Sequence, residues 1–545
     1  MGGNTVQGKW EAIAAYLLAT AIGWLMLLPP IVLLATQAAA ALGEILSSYT
    51  GAGGAGPHGG ALMARSMSSF WFAGLRTLII TVVSVATAML FALPVSFVLA
   101  KTESRIRSTG WIAMLVLAGI PLYVTVSGVV RIFSLAWLID PGSPGKTLLA
   151  VGLISGVGYA PLAAIAAAAA WLAIPRESEE SGLLVTRPSR VLARISLPLG
   201  AGGLAAAAAL VAVLSACDMT ASDALTVRTW AEELYLAFNL ELDPGKAAVS
   251  AMPLALIAAT GLGALLWRAG RMTATPVAQQ GRRAYRYPLG RWRIAIPAAL
   301  LLATLVMAYP LFDLVVAGIS ESARLPAWGD VRRAALVTVA CSGAGSGLAL
   351  VMAFPLAWMA SRRRSRFVRA AVGAGALLLL SLPTPLFGYA IASFWNQPWW
   401  NVFGLAWMPR LFYDTPLAVV ALYTMQTLPL ATLMLWATFR QIPPTCLDAA
   451  ATLSIPTFSL MTRIVLPICR NGCLLTWAVC YLLSLRELGG LILTAPPGWM
   501  FLAVRYATQI HFGVYADLAF LLAMSLPLVL LPPLALVYHV SRKNW

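Results

Sequence analysis

Long apolar runs dominate this chain and decide what it can fold into. Twelve of them lie at about residues 10–36, 74–100, 110–135, 147–174, 199–217, 247–268, 294–318, 333–360, 370–394, 416–439, 468–486 and 514–540. Each is close to or beyond the roughly 20 residues an α-helix needs to cross a bilayer. The first run is too long for the apolar core of a signal peptide and no cleavage site follows it, so it is read as a retained first span. The expectation is an all-α polytopic membrane protein of about 12 transmembrane helices. Charged residues make up only 10% of the 545 residues, against about 25% in soluble domains.

A net charge of +17 raises the question of nucleic acid, and the placement of the charges answers it. If the N-terminus is cytosolic and the spans alternate, about two thirds of the Lys and Arg residues fall on cytosolic segments, as the positive-inside rule requires. The basic excess is thus a signal of orientation in a lipid bilayer, with both termini cytoplasmic, and nucleic acid is not predicted as a partner. The 19 tryptophans fit interfacial belts.

The runs divide into two sets of six, residues 1–268 and 294–545, joined by a polar, basic linker at 269–293. Two cytosolic loops share one template. The first, 179–198, reads EESGLLVTRPSRVLARISLP, and the second, 448–467, reads DAAATLSIPTFSLMTRIVLP. An acidic residue, Glu179 or Asp448, stands 19 residues before a closing proline, Pro198 or Pro467, and an arginine, Arg194 or Arg463, stands four before it. One constant interval therefore carries the first copy onto the second, from Glu179 to Asp448, from Arg194 to Arg463 and from Pro198 to Pro467. Earlier in each half, Pro94 precedes Lys101 by the same seven residues that separate Pro355 from Arg362. Six spans per half is an even number, so both halves insert the same way round, which predicts two parallel six-helix repeats. In the second loop, Pro443-Pro444 and Thr445 predict a helix start with Asp448 in its first turn, where a carboxylate suits the dipole. Ala449 and Ala450 give that helix a smooth face. Pro456 should break it, and Thr457 should open a second short helix running to Leu466-Pro467.

These residues resemble the EAA loop of permease subunits in binding-protein-dependent ABC importers. Glu179 and Asp448 stand at the acidic position, Ala449 and Ala450 at the alanines, Pro198 and Pro467 at the closing proline. Val185 and Ser454 occupy the glycine position, and Glu180-Ser181 replace the alanines of the first copy. The layout of two fused six-span halves is similar to importers of the iron(III) type, with thiamine, phosphonate and polyamine permeases close in plan. The resemblance implies that both loops couple to separate ATP-binding cassette ATPase subunits, in two copies. It also implies a periplasmic solute-binding protein, a bacterial inner membrane, and iron(III) as the first expectation for the solute. ATP would be held by the partners. The nearest approach to a phosphate-binding loop here, Gly145-Lys146-Thr147, has Asp140 where the motif needs glycine.

A second pair of charges follows the loops. Asp218 lies 20 residues after Pro198 and Glu487 lies 20 after Pro467, and each is followed by a Val-Arg pair ending in Arg228 or Arg505. These four residues either line the outer mouth of a path and meet a loaded binding protein, or cap and brace the outer loops. Of those loops, 37–72 is rich in Gly, Ala and Ser and predicts a mobile connection, 218–246 predicts some helix, and Ala495-Pro496-Pro497-Gly498 predicts a turn. Asp313 sits inside the seventh run, where a carboxylate is a functional candidate by default. The six cysteines form no CxxC pair and the three histidines are scattered, so neither a metal site nor a catalytic set is predicted, and the chain is expected not to be an enzyme. An ion-coupled secondary transporter with duplicated halves is the rival reading. It needs ionisable residues within the spans, and apart from Asp313 these are almost lacking.

Overall fold

A computed structural model describes residues 27–43, 57–103, 107–135, 144–240, 249, 252, 255–264, 285–287, 294–320, 328–362, 366–453, 455–512 and 515–542. Regular structure among them is helical, and the one β contact is a single parallel bridge between Thr102 and Tyr287. In the first half the helices are α1 (Leu27–Gly43), α2 (Pro57–Lys101), α3 (Arg107–Ala118), α4 (Leu122–Leu135), α5 (Pro144–Leu172), α6 (Arg176–Val185), α7 (Pro188–Val191), α8 (Leu197–Cys217), α9 (Thr220–Ala224), α10 (Trp230–Leu240) and α11 (Ala255–Ala264). In the second half they are α12 (Ala295–Ser320), α13 (Trp328–Arg362), α14 (Arg366–Leu380), α15 (Thr384–Trp395), α16 (Trp399–Val402), α17 (Trp407–Asp414), α18 (Leu417–Arg440), α19 (Pro444–Thr452), α20 (Thr457–Leu460), α21 (Leu466–Leu485), α22 (Gly489–Thr494), α23 (Leu502–His511) and α24 (Tyr515–Arg542).

Eight helices are long and apolar enough to cross a membrane, which makes this a polytopic, all-α membrane protein. They coincide with eight of the twelve expected runs. Two more runs, 110–135 and 370–394, are bent pairs. α3 turns into α4 through 92° and α14 turns into the segment from Thr384 through 95°. The cause is a proline at each corner, Pro121 and Pro383, which has no N–H for the helix and pushes the preceding residue out of the helical region. The 12 residues of α3 span only about 18 Å, too short to cross alone. The last two expected runs are represented by the shorter apolar helices α1 and α11, with their flanks outside the described residues. Part of the expected mobile loop 37–72 is instead helical, because α2 begins at Pro57, and 44–56 lie outside the described residues.

Helices α2, α5 and α8 pack as a trio, and so do α13, α18 and α21. Small residues bring the backbones together. A Cβ on Gly156 would lie 2.5 Å from Thr87 of α2, and one on Gly345 would lie 2.7 Å from Tyr423 of α18. Side chains then hydrogen-bond across the gap: Ser84 Oγ donates to Gly152 O at 3.0 Å and Thr424 Oγ1 donates to Gly345 O at 3.2 Å. Elements recur at the interval that separates the two loops. The π-helical turn Leu192–Ser196 has its counterpart at Met461–Val465. Pro188, Leu197 and Thr220 open α7, α8 and α9, and Thr457, Leu466 and Gly489 open α20, α21 and α22 at the corresponding places. Two threonines, Thr77 and Thr338, anchor the starts of short helices alike: Trp230 N of α10 donates to Thr77 Oγ1 at 2.9 Å, and Leu502 N of α23 donates to Thr338 Oγ1 at 3.1 Å.

The halves are interleaved. Helix α12 opens the second half in sequence, yet it packs on α4 of the first half as well as on α24. Its internal proline, Pro310, lies so close to α4 that a Cβ on Gly128 would stand 2.4 Å from the Pro310 carbonyl oxygen. Asp313 is on the same helix and half-buried. Because the contact at Gly128 is backbone to backbone, no side-chain rotation relieves it. Gly128→Val is expected to cost about 1–3 kcal/mol through overpacking, read as a lower thermal midpoint in detergent. Gly261→Ala, where nothing lies within 4 Å, is expected to leave the midpoint unchanged or slightly raised.

Candidate functional site

The first loop is built around a buried ion pair. Pro175 holds an extended conformation that ends α5 and lets α6 start, with Glu177 and Glu179 in its first turn. Glu179 is 0% exposed. Its Oε2 accepts from Lys101 Nζ at 2.6 Å, and its Oε1 accepts from Ser196 Oγ at 2.7 Å. Lys101 is the last residue of α2 and is equally buried. Such a pair persists out of water only when its geometry is good and the remaining polar atoms are bonded. The linker completes the seat: Tyr287 N donates to Lys101 O at 2.7 Å and the Tyr287 hydroxyl lies 3.3 Å from Ser196 Oγ. The Tyr287 ring also stands 6.1 Å from that of Phe97. Glu179 therefore fixes the loop to the bundle and presents no surface of its own. Glu180 faces solvent, paired with Arg176 at 2.6 Å. Leu184 and Val185, at 89% and 88% exposure, form the tip, and Arg194 and Pro198 are exposed.

The second loop has the same trace and different chemistry. Helix α19 starts at Pro444, one residue before the expected Thr445, because proline suits the first helical position. Asp448 consequently sits beyond the first turn, where it is exposed. Ala449 is exposed and Ala450 is buried against the bundle, while Ser454 lies outside the described residues. Pro456 does break the helix and α20 does start at Thr457. Leu453, 73% exposed, is the apolar tip, and Arg463 and Pro467 are exposed. Arg362, which the seven-residue spacing aligns with Lys101, donates to Phe439 O at 2.8 Å instead of to Asp448, and its guanidinium stacks 5.2 Å from the Trp358 ring.

The closing prolines do not close the loops. Helix runs unbroken from Pro188 to Cys217, and from Met461 to Leu485, with Pro198 and Pro467 inside. The π-helical turns explain how. Leu197 N donates to Leu192 O and Leu466 N donates to Met461 O, one residue further back than in an α-helix. This wider turn accommodates a proline ring that would otherwise press on the carbonyl four residues earlier.

Between the halves lies a cavity of about 1430 Å³. Helices α5, α8 and α11 of the first half and α14, α18 and α21 of the second line it. Its lining is almost wholly Leu, Ala and Gly, with Arg369, Arg440 and Asn471 at the end nearest the loops. At its far end Leu210, Leu380 and Leu430 separate it from a second cavity of about 80 Å³, whose mostly apolar wall holds a few charged and polar groups. Asp218 and Glu487 meet there, with Tyr159, Gln426 and Arg486. The Tyr159 hydroxyl donates to Asp218 Oδ2, and Thr220 N donates to Asp218 Oδ1 at 2.6 Å. Glu487 accepts from Gly490 N and from Gln426 Nε2, both at 2.8 Å.

Arg486, which sequence reasoning passed over, is buried beside Glu487. Its guanidinium donates to Gly158 O at 3.2 Å and to Ala118 O at 3.4 Å, and lies 4.7 Å from the Tyr159 ring centre. The signal was an arginine closing an otherwise apolar stretch, YLLSLRELGG. The other two expected residues stay apart from this cluster. Arg228 is exposed and pairs with Glu233 at 3.5 Å, and Arg505 is half-buried on α23. Near them the halves touch: His511 Nε2 lies 3.5 Å from Asp223 Oδ2, and the Tyr506 ring stands 5.4 Å from that of Tyr123. Among the described residues no group of three or more His, Cys, Asp or Glu could hold a metal ion.

The two loop carboxylates should respond differently to removal. Glu179→Ala strands the Lys101 ammonium in the bundle and is expected to cost about 3–5 kcal/mol, with Lys101→Met added to it recovering part of the loss. Asp448→Ala should stay within about 0.5 kcal/mol. Thermal melts of the purified variants read both. The chain matches no family model and no curated protein sequence.

Proposed function

We propose that this protein is the permease subunit of an ATP-driven, binding-protein-dependent importer. One observation carries the reading: two brackets at the same sequence offset, each a short helix, a break and a π-turned span, flank an apolar chamber between the halves. The recurrence of the threonine anchors and of the bent pairs supports two parallel six-span repeats, with α1 and α11 belonging to the remaining two spans. In this reading each bracket seats in a cleft of one ATPase subunit, and the exposed tips, Leu184 and Val185 on one side and Leu453 on the other, are the apolar knobs. ATP binding closes the ATPase pair and carries the brackets with it. It shifts the balance between inward- and outward-facing states only through contacts that differ between them.

The solute arrives from a periplasmic binding protein and enters a bacterial cytoplasm across the inner membrane, with both termini cytoplasmic. The resemblance of the double permease to iron(III) importers makes iron(III) the solute to test first, against thiamine, a phosphonate and a polyamine. Purification from native membranes should bring down a nucleotide-binding ATPase at two copies per chain, with ATPase activity coupled to uptake in proteoliposomes supplied with the binding protein. Leu184→Asp with Leu453→Asp should abolish that association at unchanged thermal stability. A permease that imports its solute with no ATPase attached, driven by an ion gradient, would overturn the proposal.

A further inference from the structure

We propose that Arg486 is a latch between the halves that closes the path on the side away from the loops. Arg486 belongs to the second half, and the acceptors of its guanidinium, Gly158 O and Ala118 O, belong to the first. Both acceptors are suited to a cation. Ala118 is the last residue of α3 before the bend, where helix carbonyls lack helical donors and the dipole favours positive charge. Gly158 O accepts from both terminal guanidinium nitrogens, Nη1 and Nη2, each at 3.2 Å. The Tyr159 ring covers the guanidinium, and the Asp218 and Glu487 carboxylates share its cavity.

The groups around Arg486 are bonded to one another as they stand. Asp218 is held by Tyr159 and Thr220, and Glu487 by Gln426 and Gly490. A cavity of about 80 Å³ has room for two or three waters, each taking about 30 Å³. The arrangement is a closed lock rather than an open seat for a solute. Parting the halves here would pull a buried charge off its acceptors in low dielectric, so the closed state persists until something else drives it apart.

The counterpart of Arg486 in the first half, the residue just before Asp218 as Arg486 is just before Glu487, is Cys217. Its Sγ lies 3.9 Å from Leu380 O at the end of α14. Cys217 thus touches the first arm of one bent pair where Arg486 touches that of the other. It lines the same small cavity, so it is a built-in reporter of whether the latch is shut.

The proposal rests on the permease reading only in taking the two cavities as one path, and its test needs no ATPase. In the full chain with Cys217 as sole cysteine, a membrane-impermeant methanethiosulfonate is applied from the side away from the loops. Cys217 should be protected with Arg486 present and should react at least tenfold faster in Arg486→Gln, with Arg486→Lys in between. If Arg486→Gln fails to accumulate in the membrane, Tyr159→Leu removes the ring under the guanidinium and should expose Cys217 in the same way. Equal reaction with and without Arg486 would overturn the latch, and so would protection in every variant, which would place the barrier elsewhere. Failure of ATPase binding would leave this labelling pattern intact, so the two ideas fail separately.

Discussion

An apolar bundle tolerates charge only where the charge is answered on the spot, and that constraint organises the molecule. Water is not at hand to repair a lost partner, so each buried ionisable group fixes the elements around it. Lys101 and Glu179 tie the end of α2 to the start of α6 across 78 residues of chain. Arg486 ties the end of α21 to α3 and α5, in the other half of the chain. The first pair sets where the first bracket can sit. The second sets how closely the halves approach beyond the chamber. Between them the cavity wall is mostly Leu, Ala and Gly, with Arg369, Arg440 and Asn471 toward the loops.

Backbone hydrogen bonding imposes the other half of the design. Proline is frequent at the places where helices must bend or widen, and in each case the surroundings take up the strain. Pro121 and Pro383 turn corners of 92° and 95°, and the corner ends become acceptors for Arg486 and Cys217. Pro198 and Pro467 instead sit just past π-helical turns and leave the helix continuous. Each bracket therefore continues into its long helix without a break. Under the permease reading, the π-turn lets a loop residue and a span residue share one axis.

Most of the spans were legible in the sequence because a run of about 20 apolar residues has few other uses. The brackets were legible because two copies with one spacing are hard to reach by chance. The bends were signalled by the prolines but masked by unbroken hydropathy, so 110–135 and 370–394 read as straight spans. Asp448 and Glu179 looked equivalent, and what separates them lies far off in sequence: Lys101 reaches the one, while Arg362 turns to Phe439 O and leaves the other in solvent. Asp218 and Glu487 stood at matched positions in the sequence, but that they share one cavity was not legible there, because their partners Tyr159 and Gln426 come from two other stretches of chain. Periodicity finds faces, and only the fold finds which faces meet.

The strap formed by Tyr287 carries a topological consequence. It lies near the C-terminal end of the segment that joins the halves, yet its hydrogen bonds run to the first half, at Lys101 and Ser196. Cutting the chain anywhere in 269–284 would leave the strap on the wrong fragment, and the first bracket would have to be completed in trans by the second polypeptide. Fusion of the halves is therefore more than a tether in this molecule: the joining peptide is a structural part of the first bracket.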